Sequence, residues 1–488
     1  MSAAGWEAVI GLECHVQLRT RTKMFCGCPA AFGERPNTNV CPVCLGLPGA
    51  LPRANAAAVA AALRLGLALG SDVRAESVFA RKHYFYPDMP KNYQISQYDR
   101  PLCAGGALPL GEGGSAHAVA LTRIHLEEDA GKSFHPERHG DRRLSRVDFN
   151  RAGVPLLELV TEPVLRGPEP CAAFLTALRR LVRWLGISDG DMEKGQLRCD
   201  ANVSVRRPGA RSLGTKTELK NLNSIKGVEK GVRAEIARQC ALLEAGGRVE
   251  QATLLYDAER DRLAVMRTKE QAHDYRYFPD PDLPVLRVGA AEREAARAAL
   301  PELPWAREAR FRGALGLPAY DAAVLTESRE LADYLERAAP AGQAKLASNW
   351  LMTEVLRVLR ERDWDVDAWA ARVPPERFAD FLARVAAREL PGPVAKQVFA
   401  WLADEPGTVA ELLERHDVRV AADDATLRPL VRAVLDEHAA AAAQVISGEE
   451  KPFGFLVGQA MKLAGGRAVP EVLRRLLREE LAARSPRP

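Results

Sequence analysis

The sequence predicts an α+β protein, in which a sheet-forming N-terminal part precedes helical segments. Residues 8–18 and 197–206 alternate apolar and polar side chains, which is typical of strands with one buried face. From about residue 290 onward, Ala, Leu, Arg and Glu dominate with helical spacing, and prolines separate the short helices. The sequence therefore predicts a sheet domain, a helical domain and a small helical tail. In chain order, they are residues 1–292, 293–405 and 406–488.

The composition is that of a folded protein without a membrane span. The chain has 488 residues and 47% hydrophobic side chains, which is enough for several cored domains. No apolar run approaches the ~20 residues that cross a bilayer, and the first residues lack the pattern of a signal peptide. The net charge of +4 is too small to indicate nucleic-acid binding by itself. We therefore expect a cytoplasmic protein that contacts RNA, if at all, through local basic patches.

The first predicted strand, residues 8–18, carries an acid and an imidazole on its polar face. Glu13 and His15 share that face because side chains alternate along a strand. A carboxylate and an imidazole two residues apart could hold the same ion or substrate. For one such pair taken alone, a solvated strand face is the simpler explanation.

Further segments repeat this polar composition, which favours a site. Five polar side chains share one face of residues 197–206: Arg198, Asp200, Asn202, Ser204 and Arg206. A strand-like run ends in Glu127 and Glu128, and Glu158 lies inside an apolar run where an unpaired carboxylate would be costly. Acids beside cationic groups suit Mg²⁺ and phosphate. We therefore predict a metal–nucleotide site on a polar sheet face.

Four of the nine cysteines form two close pairs, namely Cys26, Cys28, Cys41 and Cys44. Their spacing, in a loop rich in Pro and Gly, suits one tetrahedral Zn²⁺. Such a zinc would be structural, because four protein ligands leave no open position for chemistry. A disulfide pair or four unrelated core cysteines are the alternatives.

Longer motifs resemble those of a known family. They are RKHYFYPDMPKNYQISQYD at 81–99, LEEDAGKS at 126–133, VDFNRAGVPLLELVTEP at 147–163 and GTKTELKNLNS at 214–224. Over essentially the whole chain, the sequence resembles the B subunit of the glutamine-dependent aspartyl/glutamyl-tRNA amidotransferase. The resemblance implies an antiparallel-sheet cradle of glutamine-synthetase-like fold, followed by an all-α helical domain and a small helical tail domain that binds tRNA.

The resemblance also implies a reaction and partners. The family uses ATP and magnesium to phosphorylate the side-chain carboxylate of Glu on tRNA(Gln), of Asp on tRNA(Asn), or of both. Ammonia from the amidase (glutaminase) subunit, which hydrolyses glutamine, then displaces the phosphate. A small third subunit completes the heterotrimer, and the cognate non-discriminating aminoacyl-tRNA synthetase is a further candidate partner. Phosphoryl transfer needs no covalent nucleophile, and the sequence contains no nucleophile-elbow, Walker A or Gly-x-Gly-x-x-Gly motif.

Carried onto this chain, the family's magnesium site falls on Glu13, His15, Glu128 and Glu158. Asp200 is the next catalytic candidate. Strand alternation would group Glu127, rather than Glu128, with the polar face, so we expect a bulge or the strand end there. The candidates for contacts to ATP or phosphate are Lys82, Lys91, Arg198, Ser204, Lys216 and Lys220. Ordinary surface lysines are the alternative for about half of the four lysines.

Two other functions fit parts of the sequence. A non-catalytic tRNA-binding adaptor with a structural ion would explain the helical half, but it has no use for convergent acids. A stand-alone ligase of small molecules would not need the tail. In the tail, Arg474 and Arg478 are four residues apart on one helix face, which suits either RNA phosphates or a solvated surface. The same helix has an apolar stripe of Leu473, Leu476, Leu477 and Leu481.

Overall fold

The computed structural model describes residues 5–111, 117–134, 144–258, 260–268, 275–339, 342–418, 423–465 and 467–485. The chain divides into two units, Met1–Ala309 and Arg310–Pro488. The first unit holds the strands and the second is helical, so the predicted α+β class is confirmed. Among the described helices, none is long and apolar enough to cross a membrane.

The strands of the first unit form one large sheet and several small ones. In chain order the strands are β1 Glu7–Gln17, β2 Asp72–Val73, β3 Glu76–Ser77, β4 Ala80–His83, β5 Tyr93–Ser96, β6 Cys103–Ala104, β7 Ala107–Leu110, β8 His117–Glu128, β9 Lys132–Phe134, β10 Arg146–Asp148, β11 Pro155–Thr161, β12 Leu197–Arg206, β13 Thr217–Lys220, β14 Ala252–Asp257, β15 Arg262–Thr268, β16 Phe278–Pro279 and β17 Leu286–Arg287. The helices are α1 Ala56–Ala68, α2 Pro168–Trp184, α3 Ile225–Glu244, α4 Ala290–Ala298 and α5 Pro304–Gly313, whose end crosses the unit boundary.

The large sheet has the strand order β15-β14-β13-β12-β1-β11-β8-β6-β2, and β7 also pairs with β8. The predicted antiparallel sheet contains one parallel pair of strands, β13 and β14. Helix α3 lies between these two strands in the chain, and a helical crossover returns the chain in its original direction. The strands at the centre, β12, β1, β11 and β8, are antiparallel throughout.

The apolar face of β1 lies in the core of the first unit. Ile10, Leu12 and Val16 are completely buried, in one cluster with the apolar sides of α1, α2 and α3. Burying each such side chain contributes roughly 1.5–3 kcal/mol, so this face sets which way the strand faces. Strand alternation then turns the polar side chains of β1 to the opposite face of the sheet.

The second unit consists of short helices. They are α6 Ala319–Leu325, α7 Arg329–Ala338, α8 Ala344–Trp350, α9 Leu356–Arg362, α10 Val366–Arg372, α11 Pro375–Ala386, α12 Gly392–Asp404, α13 Val409–Arg415, α14 Asp424–Glu437, α15 Ala439–Ile446, α16 Lys451–Leu463 and α17 Pro470–Arg484, with a π-helical turn at Leu351–Val355. The predicted leucine stripe of α17 is confirmed, because all four leucines are buried. They belong to a separate apolar cluster that α14–α17 build.

Candidate metal and nucleotide site

Four polar side chains form a row across the centre of the large sheet. Arg198 of β12 pairs with His15 of β1, His15 pairs with Glu158 of β11, and Glu158 pairs with His125 of β8. Directly opposed residues in antiparallel strands point to the same face, so the row lies on the face opposite the core. The structure thus brings together groups that come from four separate segments of the chain.

Next to this row, Glu127 joins His15 and Glu158, and one ligand atom of each of the three residues converges on a common point. His15 Nε2 lies 3.3 Å from Glu127 Oε1 and 3.4 Å from Glu158 Oε2. The ligand atoms of these three residues all lie within 4.8 Å of one another, which is close enough for one cation. His125 Nε2 adjoins both carboxylates, at 3.8 Å from Glu127 Oε2 and 3.6 Å from Glu158 Oε2. We call His15, Glu127 and Glu158 the metal-competent group.

Electrostatics keep the metal-competent group charged. Burial opposes ionisation of Glu158, but His125 and His15 outweigh it and lower the pKa of Glu158 to about 2. Burial likewise opposes ionisation of Glu127, and contacts with His125 and His15 hold its pKa well below the usual range. Burial also disfavours the charged form of His15, but Glu127 and Glu158 raise the pKa of His15 to about 10. Two carboxylates therefore stay ionised at neutral pH, and a metal would displace a proton from His15.

Unsatisfied polar atoms border the metal-competent group. The buried Nδ1 of His125 and the buried Nε of Arg123 have no hydrogen-bond partner among the described residues. Arg123 Nη2 lies 3.7 Å from Glu158 Oε1. Buried polar atoms are normally paired, so these atoms fit a polar ligand such as a hydrated cation or a phosphate. Together with the two carboxylates, they fit a magnesium–nucleotide site.

Glu128 lies apart from the metal-competent group. The pairing of β8 with β11 is regular from Arg123 to Glu128, so there is no bulge at Glu128, but β8 ends at this residue, which was the other expectation. Alternation turns Glu128 to the other face, where it accepts hydrogen bonds from Lys91 and from the Ile95 backbone N–H. The geometry therefore favours Glu127 over Glu128 as a metal ligand. Strand alternation had indicated Glu127, and it had also grouped Arg123 and His125 with Glu127 on one face of the strand.

Glu13 and Asp200 face each other one pair further along β1 and β12. The Asn202 side-chain amide donates to Glu13 over 3.0 Å, and Lys220 Nζ donates to Asp200 over 2.5 Å. Burial, together with Glu158, Glu218 and Asp200, raises the pKa of Glu13. Glu13 and Asp200 thus lie beside the metal-competent group but outside it.

The structure separates the six candidates for nucleotide contacts. Lys82 and Arg198 adjoin the metal-competent group: burial lowers the pKa of each, but nearby acids, including Glu127, raise it overall. Arg198 also contacts Asp129 over 2.9 Å. The other four lie outside this group. Lys91 forms an ion pair with Glu128, and Lys220 forms one with Asp200. Lys216 is exposed before β13, and the buried Ser204 donates a hydrogen bond to the Val9 carbonyl.

The four predicted zinc ligands converge on one point. The sulfurs of Cys26, Cys28, Cys41 and Cys44 lie within 4.8 Å of one another. All nine cysteines are described and free, so no disulfide joins these four. A hydrogen bond from Cys26, together with the Cys41 backbone N–H and Lys23, lowers the pKa of Cys44 to about 4. Four converging sulfurs, one of them favoured as thiolate, are compatible with structural zinc.

The cysteine loop also contacts the Lys91–Glu128 pair. Gly46, two residues after Cys44, has φ +68°, and a Cβ built on it would lie 2.5 Å from Lys91 Cγ. The fully buried Lys23 donates to the carbonyls of Asn39 and Phe149, and its Nζ lies 3.7 Å from Cys44 Sγ. The loop therefore packs tightly against its surroundings, and its position depends on how the four sulfurs are held.

Two family models match the chain. The model described as "GatB/GatE catalytic domain" matches residues 8–294, and the model described as "GatB domain" matches residues 333–481. The first match covers the sheet with the metal-competent group and the cysteine loop. The matches define the class of the protein, one whose sheet-containing part is similar to the GatB/GatE catalytic domain.

Three relatives show the family more closely. The proteins of Moorella thermoacetica, Bordetella avium and Chlorobaculum tepidum are 49%, 48% and 47% identical over 477, 485 and 481 residues. Each alignment covers 98% of this chain and 100% of the relative. All three are named as the B subunit of an aspartyl/glutamyl-tRNA(Asn/Gln) amidotransferase. The chain belongs to this family of amidotransferase B subunits, which confirms the resemblance of its motifs.

Proposed function

We propose that this protein uses ATP to phosphorylate the side-chain carboxylate of Glu on tRNA(Gln), of Asp on tRNA(Asn), or of both. The names of the relatives refer to both amino acids and both tRNAs. The observation that supports phosphorylation most directly is the metal-competent group, in which two buried carboxylates lie near the positive side chains of Lys82 and Arg123. Phosphoryl transfer depends on this combination of cation ligands and positive side chains.

The reaction would proceed in two displacements. A side-chain carboxylate oxygen of the aminoacyl group attacks the γ-phosphorus of ATP, and ADP leaves. Ammonia then attacks the acyl carbon, phosphate leaves, and the amide forms. Magnesium, when bound, would neutralise charge on the phosphates.

The protein groups would hold the reactants in place. Glu127 and Glu158 would bind the cation, while His125 fixes the orientation of both carboxylates. Lys82 and Arg123 would hold phosphate oxygens against the sheet. These groups act by position and charge, so they would lower the barrier without any covalent intermediate on this chain.

The relatives are named as B subunits, which supports partners in a larger complex. We propose that these partners are an amidase (glutaminase) subunit, which releases ammonia from glutamine, and a small third subunit. The tail, with the exposed Arg474 on α17, would contact the tRNA body, while the sheet does the chemistry. Zinc would hold the cysteine loop and take no part in the reaction.

The test is ATP turnover by the assembled complex without an ammonia donor. Mischarged tRNA should stimulate release of ADP and leave a labile phosphate on the aminoacyl group, whereas uncharged tRNA should not. If the protein is a non-catalytic adaptor, tRNA should bind, but the aminoacyl group on the tRNA should not stimulate ADP release. That outcome would overturn the proposal in favour of the adaptor.

A further inference from the structure

An aromatic cluster lies beside the metal-competent group and has no role in the chemistry described above. We call it the aromatic patch, and its members are Tyr84, Phe85, Tyr86, Tyr93, Tyr98, Tyr275, Tyr277 and Phe278. It contains six of the nine tyrosines of the whole chain. We propose that the aromatic patch stacks the unpaired 3′-terminal nucleotides of the RNA whose aminoacyl group is activated. This inference rests on the proposed function, and it names how the substrate is held.

The patch is assembled from two distant segments. In the first segment, Tyr93 lies on β5 and the other rings lie in the stretches that follow β4 and β5. Strand β16 brings the second segment alongside by pairing Phe278 with Arg81. Several of the rings remain open to solvent: the exposed fractions are 69% for Phe85, 48% for Tyr86 and 56% for Tyr98. Single exposed rings are ordinary, whereas a contiguous exposed group indicates an interaction surface.

Two pairs of rings in the aromatic patch stack face to face, while Tyr275 meets Tyr277 edge to face. Tyr98 and Tyr277 stack with centroids 4.2 Å apart and planes 11° apart, and Tyr84 and Tyr86 stack at 5.7 Å and 28°. Tyr98 is more than half exposed, so a base could extend the stack. Stacking on aromatic faces is the way proteins hold unpaired bases, and it works for any base.

Charge connects the patch to the metal-competent group. Lys82 Nζ lies 4.9 Å from the ring centroid of Tyr275, and its charge is stabilised by Glu127 and Glu158. Arg81 lies 4.3 Å from the ring centroid of Tyr93, on the same strand as Lys82. An aminoacyl group is only a few bonds long, so the nucleotide that carries it must lie beside the group that activates it. Arg81 itself is held by Asp280 and Asp282, so Lys82 is the positive side chain that links the rings to the acids of the metal-competent group.

Two features favour RNA over a protein partner. Permanent protein interfaces resemble the apolar core of a domain, whereas tyrosines dominate this patch. A tyrosine-rich surface remains compatible with water when the substrate has left, which suits a partner that must bind and depart at every turnover. A protein partner is therefore the outcome that the experiment has to exclude.

The experiment compares two RNA hairpins bound by the complete complex. One hairpin carries an unpaired 3′ extension with 2-aminopurine at its end, and the other is blunt. The wild-type complex should bind the extended hairpin about tenfold more tightly, and stacking should quench the 2-aminopurine fluorescence. Tyr98→Ala should lose about tenfold in affinity for the extended hairpin and restore the fluorescence, while its affinity for the blunt hairpin stays unchanged.

Two matched variants control for the ring and for the surface. Tyr98→Phe keeps the ring and should bind like the wild type. Tyr320→Ala removes a tyrosine that is 72% exposed on α6, outside the patch, and should change nothing. Equal binding of both hairpins by the wild type would overturn the proposal, even if charge-dependent ADP release persists. Loss of the partner proteins from Tyr98→Ala, with RNA binding intact, would overturn it in favour of a protein-docking surface. Absence of ADP release with normal fluorescence quenching would overturn the proposed function alone.

Discussion

The choice between Glu127 and Glu128 can be tested with paired Glu→Gln variants. Glu127→Gln removes one charge from the metal-competent group but keeps the size of the side chain and its contact with His15. Since the proposed catalysis at this group is electrostatic, we expect the ADP release that mischarged tRNA stimulates to fall about 10²–10³-fold. Glutamine hydrolysis by the proposed amidase partner should continue, because the proposal assigns that step to the other subunit.

Glu128→Gln should act on stability instead. Lys91 and Glu128 have side chains only 6% and 2% exposed, so the variant leaves a buried ammonium without its counterion. Removing one partner of a buried ion pair costs at least about 3 kcal/mol of stability. We expect a cost near this lower value, because the amide oxygen of Gln can still accept a hydrogen bond from Lys91. We expect a clear fall in the thermal unfolding temperature. In the protein that remains folded, mischarged tRNA should still stimulate ADP release.

The assays are ADP release in the presence of mischarged tRNA and thermal unfolding of the same preparations. A Glu127→Gln complex with wild-type ADP release would refute the role of Glu127. If Glu128→Gln were stable and inactive as well, the ligand set with Glu128 that the motifs imply would be correct. Retention of magnesium by each variant, measured by titration, provides a readout that is independent of turnover.

Three further predictions concern the zinc loop and the tail. Metal analysis should find about one zinc per chain. Cys41→Ala should lower the unfolding temperature clearly, while the reaction rate of the fraction that stays folded should change little. A protein that is purified under reducing conditions and contains no zinc would contradict this prediction. Lys23→Met should speed the loss of zinc to a chelator, because the buried ammonium offsets the charge of four thiolates, and an unchanged release rate would disprove that contribution. Deleting residues 406–488 should raise the KM for charged tRNA and flatten its salt dependence, while ammonia release from glutamine is unaffected; tRNA binding equal to the full chain across a salt series would make the tail a structural element.

Local patterns in the sequence determined much of the site. Period-two alternation is a property of each strand alone, so it correctly placed Glu13 and His15 on the face opposite Ile10 and Leu12. The leucine stripe of α17 followed in the same way from helical spacing. The close spacing of the cysteine pairs predicted that their sulfurs would converge, because each pair is joined by a very short stretch of chain.

Only the tertiary structure decided which side chains meet. The row of Arg198, His15, Glu158 and His125 depends on the register of four strands, and register is set by packing between segments far apart in the chain. A shift by one residue would exchange Glu127 for Glu128, so the choice between these two carboxylates depends on the register of β8 against β11. The aromatic patch likewise exists only because β16 pairs with β4. The sequence by itself determined the faces of its elements, while long-range pairing determined the site, because the hydrogen bonds and burial that select a register involve both partners at once.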